Sequence, residues 1–258
     1  MKTRVLVVVF LAVSQATALA QPTNSPNPAA PGFNRAGSDY RAIQIADQVM
    51  ATMGGRKAWE DTHLVAWTFQ SLRRLVWDKW NGLVRIDNLQ DDQTVLLNVN
   101  NDRGRVFRQG REILAADSLN FYLKQSKNRW LNDTYWLVLP FKLKDPGVTL
   151  KYLGKQSTQL GKSADLLQLT FKQAPDKFWV WVDSQNHLVN QWAHFAKATD
   201  TQPMFTVPWL DYQQYGSILL SGERGERDIT GIMVFTGLPG EVFSDFTRTD
   251  LSRYPQAH

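Results

Sequence analysis

The stretch NDTYWLVLPFKLKDPG, residues 132–147, decides how the rest of the chain is read. It places Tyr135, Trp136, Leu139 and Phe141 within a few positions and closes on Pro146-Gly147. The run is too apolar for a surface loop and falls short of the roughly 20 apolar residues that span a bilayer. Something must cover it, and three covers are open: the protein's own core, another protein, or an apolar ligand.

The N-terminus, MKTRVLVVVFLAVSQATALAQ, has the pattern of a cleaved signal peptide. Lys2 and Arg4 precede an apolar stretch, and Ala18-Leu19-Ala20 supplies a small-residue cleavage site. We therefore predict a signal peptide over residues 1–20, cleavage after Ala20, and a periplasmic protein of a Gram-negative bacterium. The chain has 0 cysteines, which excludes disulfides and a lipid-anchored cysteine.

Charge and composition narrow the class of protein. The chain has 258 residues, 43% of them hydrophobic, enough for one sizeable core. It carries 29 basic and 24 acidic residues, and removing Lys2 and Arg4 lowers the net charge from +5 to +3. A balance this mild argues against nucleic acid as a partner.

The remaining chain divides into a leader and one domain. Residues 21–37, rich in Pro, Asn and Ala, predict a flexible leader, and residues 38–258 predict a single domain. In YRAIQIADQVMATMGG (40–55), apolar residues recur at helical spacing until Gly54-Gly55 ends the run.

After this helix the period changes to that of strands. Short apolar or alternating runs are separated by turn residues such as those at 80–82 and 101–104. Helical spacing returns at 118–141 and interrupts the strands. These runs predict strands at 64–70, 72–78, 83–88, 94–99, 104–110, 148–154, 164–171, 177–183, 187–195, 205–216 and 229–235. The pattern favours an α+β fold, mainly antiparallel, in which one curved sheet carries helices on its concave side.

Catalytic and cofactor motifs are weak. Gly161-Lys162-Ser163 ends a stretch that lacks the first glycine of a phosphate-binding loop, and the 4 histidines show no metal-binding spacing. We therefore predict no metal, no cofactor and no catalytic residue, and expect no enzyme. A hydrolase would need two neighbouring carboxylates, for which the candidates are Asp78, Asp87, Asp133, Asp145, Asp183 and Asp211.

Aromatic residues are the distinctive feature, with 10 Trp, 13 Phe and 7 Tyr. In FWVWVD (178–183), Trp179 and Trp181 share one face of the strand while Phe178 and Val180 take the other. A sheet that is apolar on both faces must be covered on both sides or must hold a ligand. Both readings stay open from the residues alone.

Several stretches resemble a known family. WDKWNG (77–82), TYWLVLPFKLKDPG (134–147) and FWVWVDSQNHLVNQW (178–192) are similar to an uncharacterised family of exported bacterial proteins. The fold of that family is similar to the periplasmic lipoprotein carriers of the outer-membrane lipoprotein sorting (Lol) pathway. The resemblance runs from about residue 40 to about residue 250.

The resemblance implies an incomplete, unclosed β-barrel whose concave apolar face is plugged by helices and receives acyl chains. An arginine holds the closed form in such carriers, and Arg73, Arg74 and Arg85 are candidates here. Lys142 and Lys144 are expected either in solvent or at an anionic headgroup. The predicted ligand-binding residues are Trp67, Phe69, Trp77, Phe121, Trp130, Tyr135, Trp136, Leu139, Phe141, Trp179, Trp181 and Trp192.

Three functions follow for comparison. The first is a periplasmic binder or carrier of a lipid, acyl chain or acylated protein, with peripheral membrane contact at most. The second is an interaction or stress-sensing module that fills its own barrel and binds another envelope protein. The third is a hydrolase that uses two of the aspartates named above.

Overall fold

The computed structural model describes residues 26–257 of the chain. The predicted signal peptide, 1–20, and its cleavage site after Ala20 lie outside these residues, as does the first part of the predicted leader, 21–25.

Three α-helices form within residues 26–257, two of which the sequence predicts. The first follows Asp39 and ends before Gly54, whose φ of 111° suits glycine alone. The long insertion is helical as expected and continues into a 3-10 helix, Leu139–Lys142. The second helix has only 7 residues, too few to show a periodic apolar pattern. The helices are α1 Tyr40–Thr52, α2 Gly55–Asp61 and α3 Ala116–Val138.

The strands agree with the sequence pattern in most places. Gly82 and Asp102 take positive φ in the turns that their residue types predict. The run predicted at 205–216 is divided at Trp209 into two strands, and β6 and β13 are additional. The strands are β1 Leu64–Phe69, β2 Arg73–Asp78, β3 Leu83–Asn88, β4 Gln93–Asn98, β5 Arg103–Arg108, β6 Arg111–Glu112, β7 Val148–Ser157, β8 Ser163–Phe171, β9 Lys177–Asp183, β10 Val189–Phe195, β11 Phe205–Pro208, β12 Leu210–Tyr215, β13 Ile218–Glu223 and β14 Ile229–Phe235.

The fold is α+β and mainly antiparallel, as predicted, and no sheet within residues 26–257 closes into a barrel. The expectation of one curved sheet is wrong, because the strands form two large sheets and a hairpin. The first sheet has the order β14-β1-β2-β3-β4-β5-β6 and the second β11-β10-β9-β8-β7, with β12-β13 separate. The division falls where α3 stands between β6 and β7, so these two strands do not pair.

One core joins both large sheets to α1 and α3. Trp67 of the first sheet, Leu167 of the second, and Val49 and Trp136 of the helices belong to the same buried cluster. Burying a large apolar side chain contributes about 1.5–3 kcal/mol, so this shared cluster is what holds the two sheets together. It also answers the opening question in part, because Leu139 and Phe141 are fully buried in it.

The other face of the first sheet is covered by the C-terminal segment. Val242 and Leu251 pack there against Leu64 and Val76. Arg85 is buried on this face and donates to the carbonyls of Val242, Asp245, Phe246 and Thr247. Its Nε donates to Asp87 at 2.8 Å. The doubly apolar strands of the first sheet are therefore covered by the chain itself.

Residues 26–37 do not form the flexible leader that the sequence predicts for 21–37. The Ala30 N–H donates to the Lys144 carbonyl at 3.1 Å, and the Asn34 N–H donates to that of Val148 at 3.0 Å. Lys144 is buried, and its ammonium contacts Asp47 and the Asn27 carbonyl. Lys144 is therefore neither in solvent nor at a headgroup site, because it binds this segment to α1.

Polar contacts fix α3 across the inner face of the first sheet. Arg73 of β2 makes two hydrogen bonds of 2.6 Å to the Asp133 carboxylate, which has no exposed surface. Arg224, also buried, donates to the Trp136 carbonyl at 2.9 Å. At Gly104 of β5 a Cβ would lie 2.8 Å from Leu123 Cδ2, so glycine permits the close approach of the helix.

We expect the Arg73–Asp133 pair to dominate the docking of α3. Asp133→Asn leaves a buried guanidinium without its counter-charge, so the free energy of unfolding should fall by about 3–5 kcal/mol in urea denaturation. Asp61→Asn is the matched control, because its pair with Lys57 is exposed and is worth about 0.5 kcal/mol. The double variant Arg73→Met, Asp133→Leu should recover most of the loss. Equal losses for Asp133→Asn and Asp61→Asn would contradict the assignment.

Candidate functional site

A cleft of about 360 Å³ opens between the C-terminal half of α3 and the second sheet. Its volume lies at the small end of the range for clefts that bind small molecules. Most of its walls are aromatic. The lining residues are Asn128, Leu131, Asn132, Tyr135, Trp136, Phe171, Ala174, Asp176, Phe178, Trp192, His194 and Phe205.

The helix supplies one wall. Five lining residues lie on one face of α3, because four of them follow the first at three, four, seven and eight positions. They are Asn128, Leu131, Asn132, Tyr135 and Trp136. Trp136 is nearly fully buried, whereas Leu131 and the asparagines are exposed. The wall therefore grades from apolar at its base to polar at its mouth.

The second sheet supplies the facing wall through its register. Phe178 of β9, His194 of β10 and Phe205 of β11 occupy one row across three strands. Trp192 lies on the same face as His194, two residues away along β10. Phe171, the last residue of β8, completes the wall.

The rings of the two walls touch each other at the base of the cleft. Trp136 meets Trp192 and Phe205 with both ring centroids at 5.1 Å, and Tyr135 lies 5.6 Å from Phe178. Such contacts restrict the rotamers of large side chains and leave a preformed apolar surface. Burial raises the pKa of the Tyr135 phenol well above its ordinary value, so this residue stays neutral.

One polar pair lies in this aromatic setting. His194 Nε2 is 2.7 Å from the Asp176 carboxylate, and the imidazole lies 5.1 Å from the Phe178 ring and 5.4 Å from the Phe205 ring. An ionised carboxylate only accepts, so Nε2 carries the proton and donates. In the neutral ring Nδ1 is then an acceptor, and it has no hydrogen bond to any residue from 26 to 257.

The cleft brings together three of the predicted ligand-binding residues, Tyr135, Trp136 and Trp192. The others lie elsewhere. Trp67, Phe69, Leu139 and Phe141 are core residues, and Trp77 and Trp130 pack on that core against each other. Trp179 and Trp181 lie on the opposite face of the second sheet, and Phe121 is 60% exposed. The aromatic content was therefore divided among a core, a cleft and two outer surfaces.

Sequence reasoning missed Phe171, Phe178, Phe205, His194 and Asp176. A signal for Phe178 was present, because it alternates with Trp179 and the two must face opposite sides. The row that joins Phe178, His194 and Phe205 depends on strand register, which residue type alone does not give.

The three candidate arginines have different roles. Arg73 binds α3, and Arg85 holds the C-terminal segment on the outer face. Arg74 follows Arg73 in β2, where burial lowers its pKa more than the charges of Asp87 and Asp250 raise it. The contact to a helix carbonyl is made by Arg224, which sequence reasoning did not select; it also lies 3.5 Å above the Trp209 ring.

The candidate aspartates bind local partners on separate elements. Asp78 accepts from Asn81 and contacts His63, while Asp145 pairs with Lys142. Asp183 accepts from two backbone N–H groups of the following turn, and Asp211 accepts from Gln213. Asp87 and Asp133 bind Arg85 and Arg73. Within residues 26–257 no cluster of three or more His, Asp or Glu side chains is placed to hold a metal ion.

The WDKWNG stretch forms the β2–β3 turn and fastens it to α2. Lys79 contacts the carbonyls of Trp59 and Thr62, and its ammonium lies 3.5 Å above the Trp59 ring. Cations favour helix C-termini, and these two carbonyls end α2. Trp80 Nε1 donates to the Glu60 carbonyl at 2.9 Å. The stretch explains why so short a helix is stable here.

Comparison of the chain with known protein-family models and with curated protein sequences finds no match. The resemblance to the lipoprotein-carrier fold therefore stays a prediction. Among the helices of residues 26–257, none combines the length and apolar content that crossing a membrane requires.

Burial, followed by the charge of Lys142, lowers the pKa of Lys79 from its ordinary 10.5 to about 7. Below pH 7 the residue is charged in both states. Between pH 7 and 10.5 the unfolded chain binds the extra proton, so stability should rise with pH. Between pH 7 and 9 the free energy of unfolding, measured in urea, should rise by roughly 2 kcal/mol more for the native chain than for Lys79→Met.

Lys57→Met is the control for this measurement, because Lys57 is exposed in the same helix, and its stability curve should run parallel to that of the native chain. Parallel curves for Lys79→Met as well would show that Lys79 keeps its charge in the folded protein.

Proposed function

We propose that this protein is an exported binding protein that holds a single acyl chain, or an apolar molecule of similar size, in the cleft between α3 and the second sheet. The observation that carries the proposal is a cleft whose aromatic rings already contact one another, with Asn128, Asn132 and the His194–Asp176 pair as polar groups in its lining. A large apolar cleft with a few convergent polar groups is the usual form of a small-molecule site.

The size of the cleft limits the ligand. About 360 Å³ suits one chain or a compact ring system rather than a multiply acylated lipid anchor. Tyr135, Trp136, Phe178 and Trp192 already contact one another, so a ligand lies against their rings without needing to separate them. A preformed wall lowers the ordering cost of binding.

The polar pair specifies the other end of the ligand. Asp176 fixes the His194 tautomer, which leaves Nδ1 as an acceptor for a hydroxyl or a protonated carboxyl group. Asn128 and Asn132 stand on the facing helix and add amide donors and acceptors. The ligand class is therefore amphipathic, with an apolar body against the rings and a hydrogen-bonding head near His194.

The signal peptide predicted at 1–20 supports a location in the periplasm, where such ligands pass between membranes. The lipid-carrier proposal rests on this export signal together with the cleft.

A second function is favoured by the packing of the core. Trp67, Leu139 and Phe141 fill the interior between the sheets with side chains, as a self-filled interaction module requires. In that case the cleft is only a surface recess, and the protein would act through contacts with another envelope protein.

Blocking the cleft tests the first function. Ala174 is exposed and lines the cleft, so Ala174→Trp should fill it without loss of folding. Titration with a dansylated long-chain fatty acid, followed by fluorescence, should show at least tenfold weaker binding to this variant, which corresponds to about 1.4 kcal/mol. Ala198→Trp, an exposed alanine outside the cleft lining, should bind like the native chain.

His194→Phe tests recognition of the polar head of the ligand separately from recognition of its apolar body. It keeps an aromatic ring and removes the hydrogen-bonding nitrogen, so binding of a long-chain alcohol should weaken about tenfold while an alkane of equal length is unaffected. Native chain that takes up none of these probes, and that carries no lipid when purified from cells, would favour the interaction module instead.

A further inference from the structure

We propose that the β5–β6 hairpin and the first two-thirds of α3 form a docking surface for an anionic lipid bilayer. This surface, residues 102–131, is the basic face. It shares Asn128 and Leu131 with the lining of the cleft, but the proposal rests on exposure and charge and does not depend on whether the cleft holds a ligand.

Charge is concentrated on the basic face. Residues 102–131 contain seven Lys and Arg and three Asp and Glu, a net charge of +4, whereas the chain without residues 1–20 carries a net charge of +3 in all. The rest of the protein is therefore close to neutral, and its attraction to anions is local.

Several of these cations have no counter-charge among the residues that the structure describes. Arg105 pairs with Glu112 and Lys127 with Asp102, but among residues 26–257 no ion pair forms to Arg108, Arg111 or Lys124. Arg108 and Arg111 stand directly opposite each other in the β5–β6 pair. Like charges in opposed positions destabilise a strand pair, and an external anion relieves that repulsion.

Large apolar side chains are exposed beside these cations. Leu114 is 80% exposed, Phe121 60% and Leu131 48%. The Phe121 ring packs edge-on against Tyr122 at 5.4 Å, and the Tyr122 hydroxyl accepts from Arg108 Nη1 at 3.0 Å. Phe121, Tyr122 and Arg108 therefore form one continuous surface of apolar and cationic groups.

This combination matches a bilayer surface better than a nucleic acid. Basic side chains attract anionic headgroups, and neighbouring apolar side chains enter the headgroup and acyl boundary. A nucleic-acid duplex bound through its phosphates would use the cations but would leave Leu114 and Phe121 exposed. Leu131 also lines the mouth of the cleft, so a docked membrane would lie next to that mouth.

The chain offers a matched control surface in the β7–β8 hairpin. Leu160 there is 62% exposed, and Lys155 and Lys162 are exposed beside it. Like the basic face it combines an exposed apolar side chain with exposed cations, but it lies outside residues 102–131.

Co-sedimentation with vesicles tests the proposal on the chain that lacks residues 1–20. Native protein should bind phosphatidylcholine vesicles that contain phosphatidylglycerol, should bind pure phosphatidylcholine vesicles at least tenfold less, and should be released by high salt. Two double variants should each weaken binding about tenfold. One combines Leu114→Ser with Phe121→Ser, and the other combines Arg111→Glu with Lys124→Glu. Two variants of the β7–β8 hairpin should bind like the native chain. One is Leu160→Ser, and the other combines Lys155→Glu with Lys162→Glu.

All of these substitutions are at exposed positions, so circular dichroism and the melting temperature should be unchanged. Native protein that fails to bind the anionic vesicles, or binds both vesicle types equally, would overturn the proposal. A loss of binding confined to the hairpin variants would assign the contact to β7–β8 and would also overturn it.

Discussion

The structure depends on one helix, α3, that packs against two sheets at once. In the chain, α3 follows strands β1–β6 of the first sheet and precedes all strands of the second, and its apolar residues belong to the core that both sheets share. Apolar burial supplies the stabilisation, but it does not fix direction, because hydrophobic contact is not directional. Direction comes from two contacts near the C-terminal end of the helix, the bidentate Arg73–Asp133 pair and the Arg224 contact to the Trp136 carbonyl.

This arrangement explains why the protein has both a filled core and an open cleft. The 3-10 helix after α3 turns Leu139 and Phe141 into the interior, where Phe141 stacks on Trp59 at 4.5 Å. One turn earlier, Tyr135 and Trp136 face the edge of the second sheet, where β9, β10 and β11 end in a row of rings. Neighbouring residues of one stretch thus serve as core and as cleft wall, because a helix distributes consecutive residues around its axis.

The sequence predicts local structure well in this chain and spatial assembly less well. Turn residues such as Gly82 and Asp102 indicate where the neighbouring strands end, because few residue types tolerate the positive φ that these turns require. The division into two sheets has no local signal, since it depends on which strands pair. For the same reason Tyr135 and Trp136 were predictable cleft residues, whereas His194 and Phe205 were not: they come from strands whose alignment is set by register. Trp179 and Trp181 show what residue type alone cannot predict. An aromatic pair on a strand does not indicate which face of the sheet the core, a ligand or solvent covers.

The pairing of β14 with β1 has a consequence for how the protein is made. Val65 stands opposite Val234, so the first strand of the domain receives its second neighbour only from the end of the chain. Until that neighbour arrives, β1 is an edge strand with free backbone donors and acceptors and an apolar surface, which favours pairing with other chains. Contacts between such distant residues also slow the search for the native state. β1 therefore keeps one unpaired edge until β14 is in place, and the fold cannot protect that edge before then.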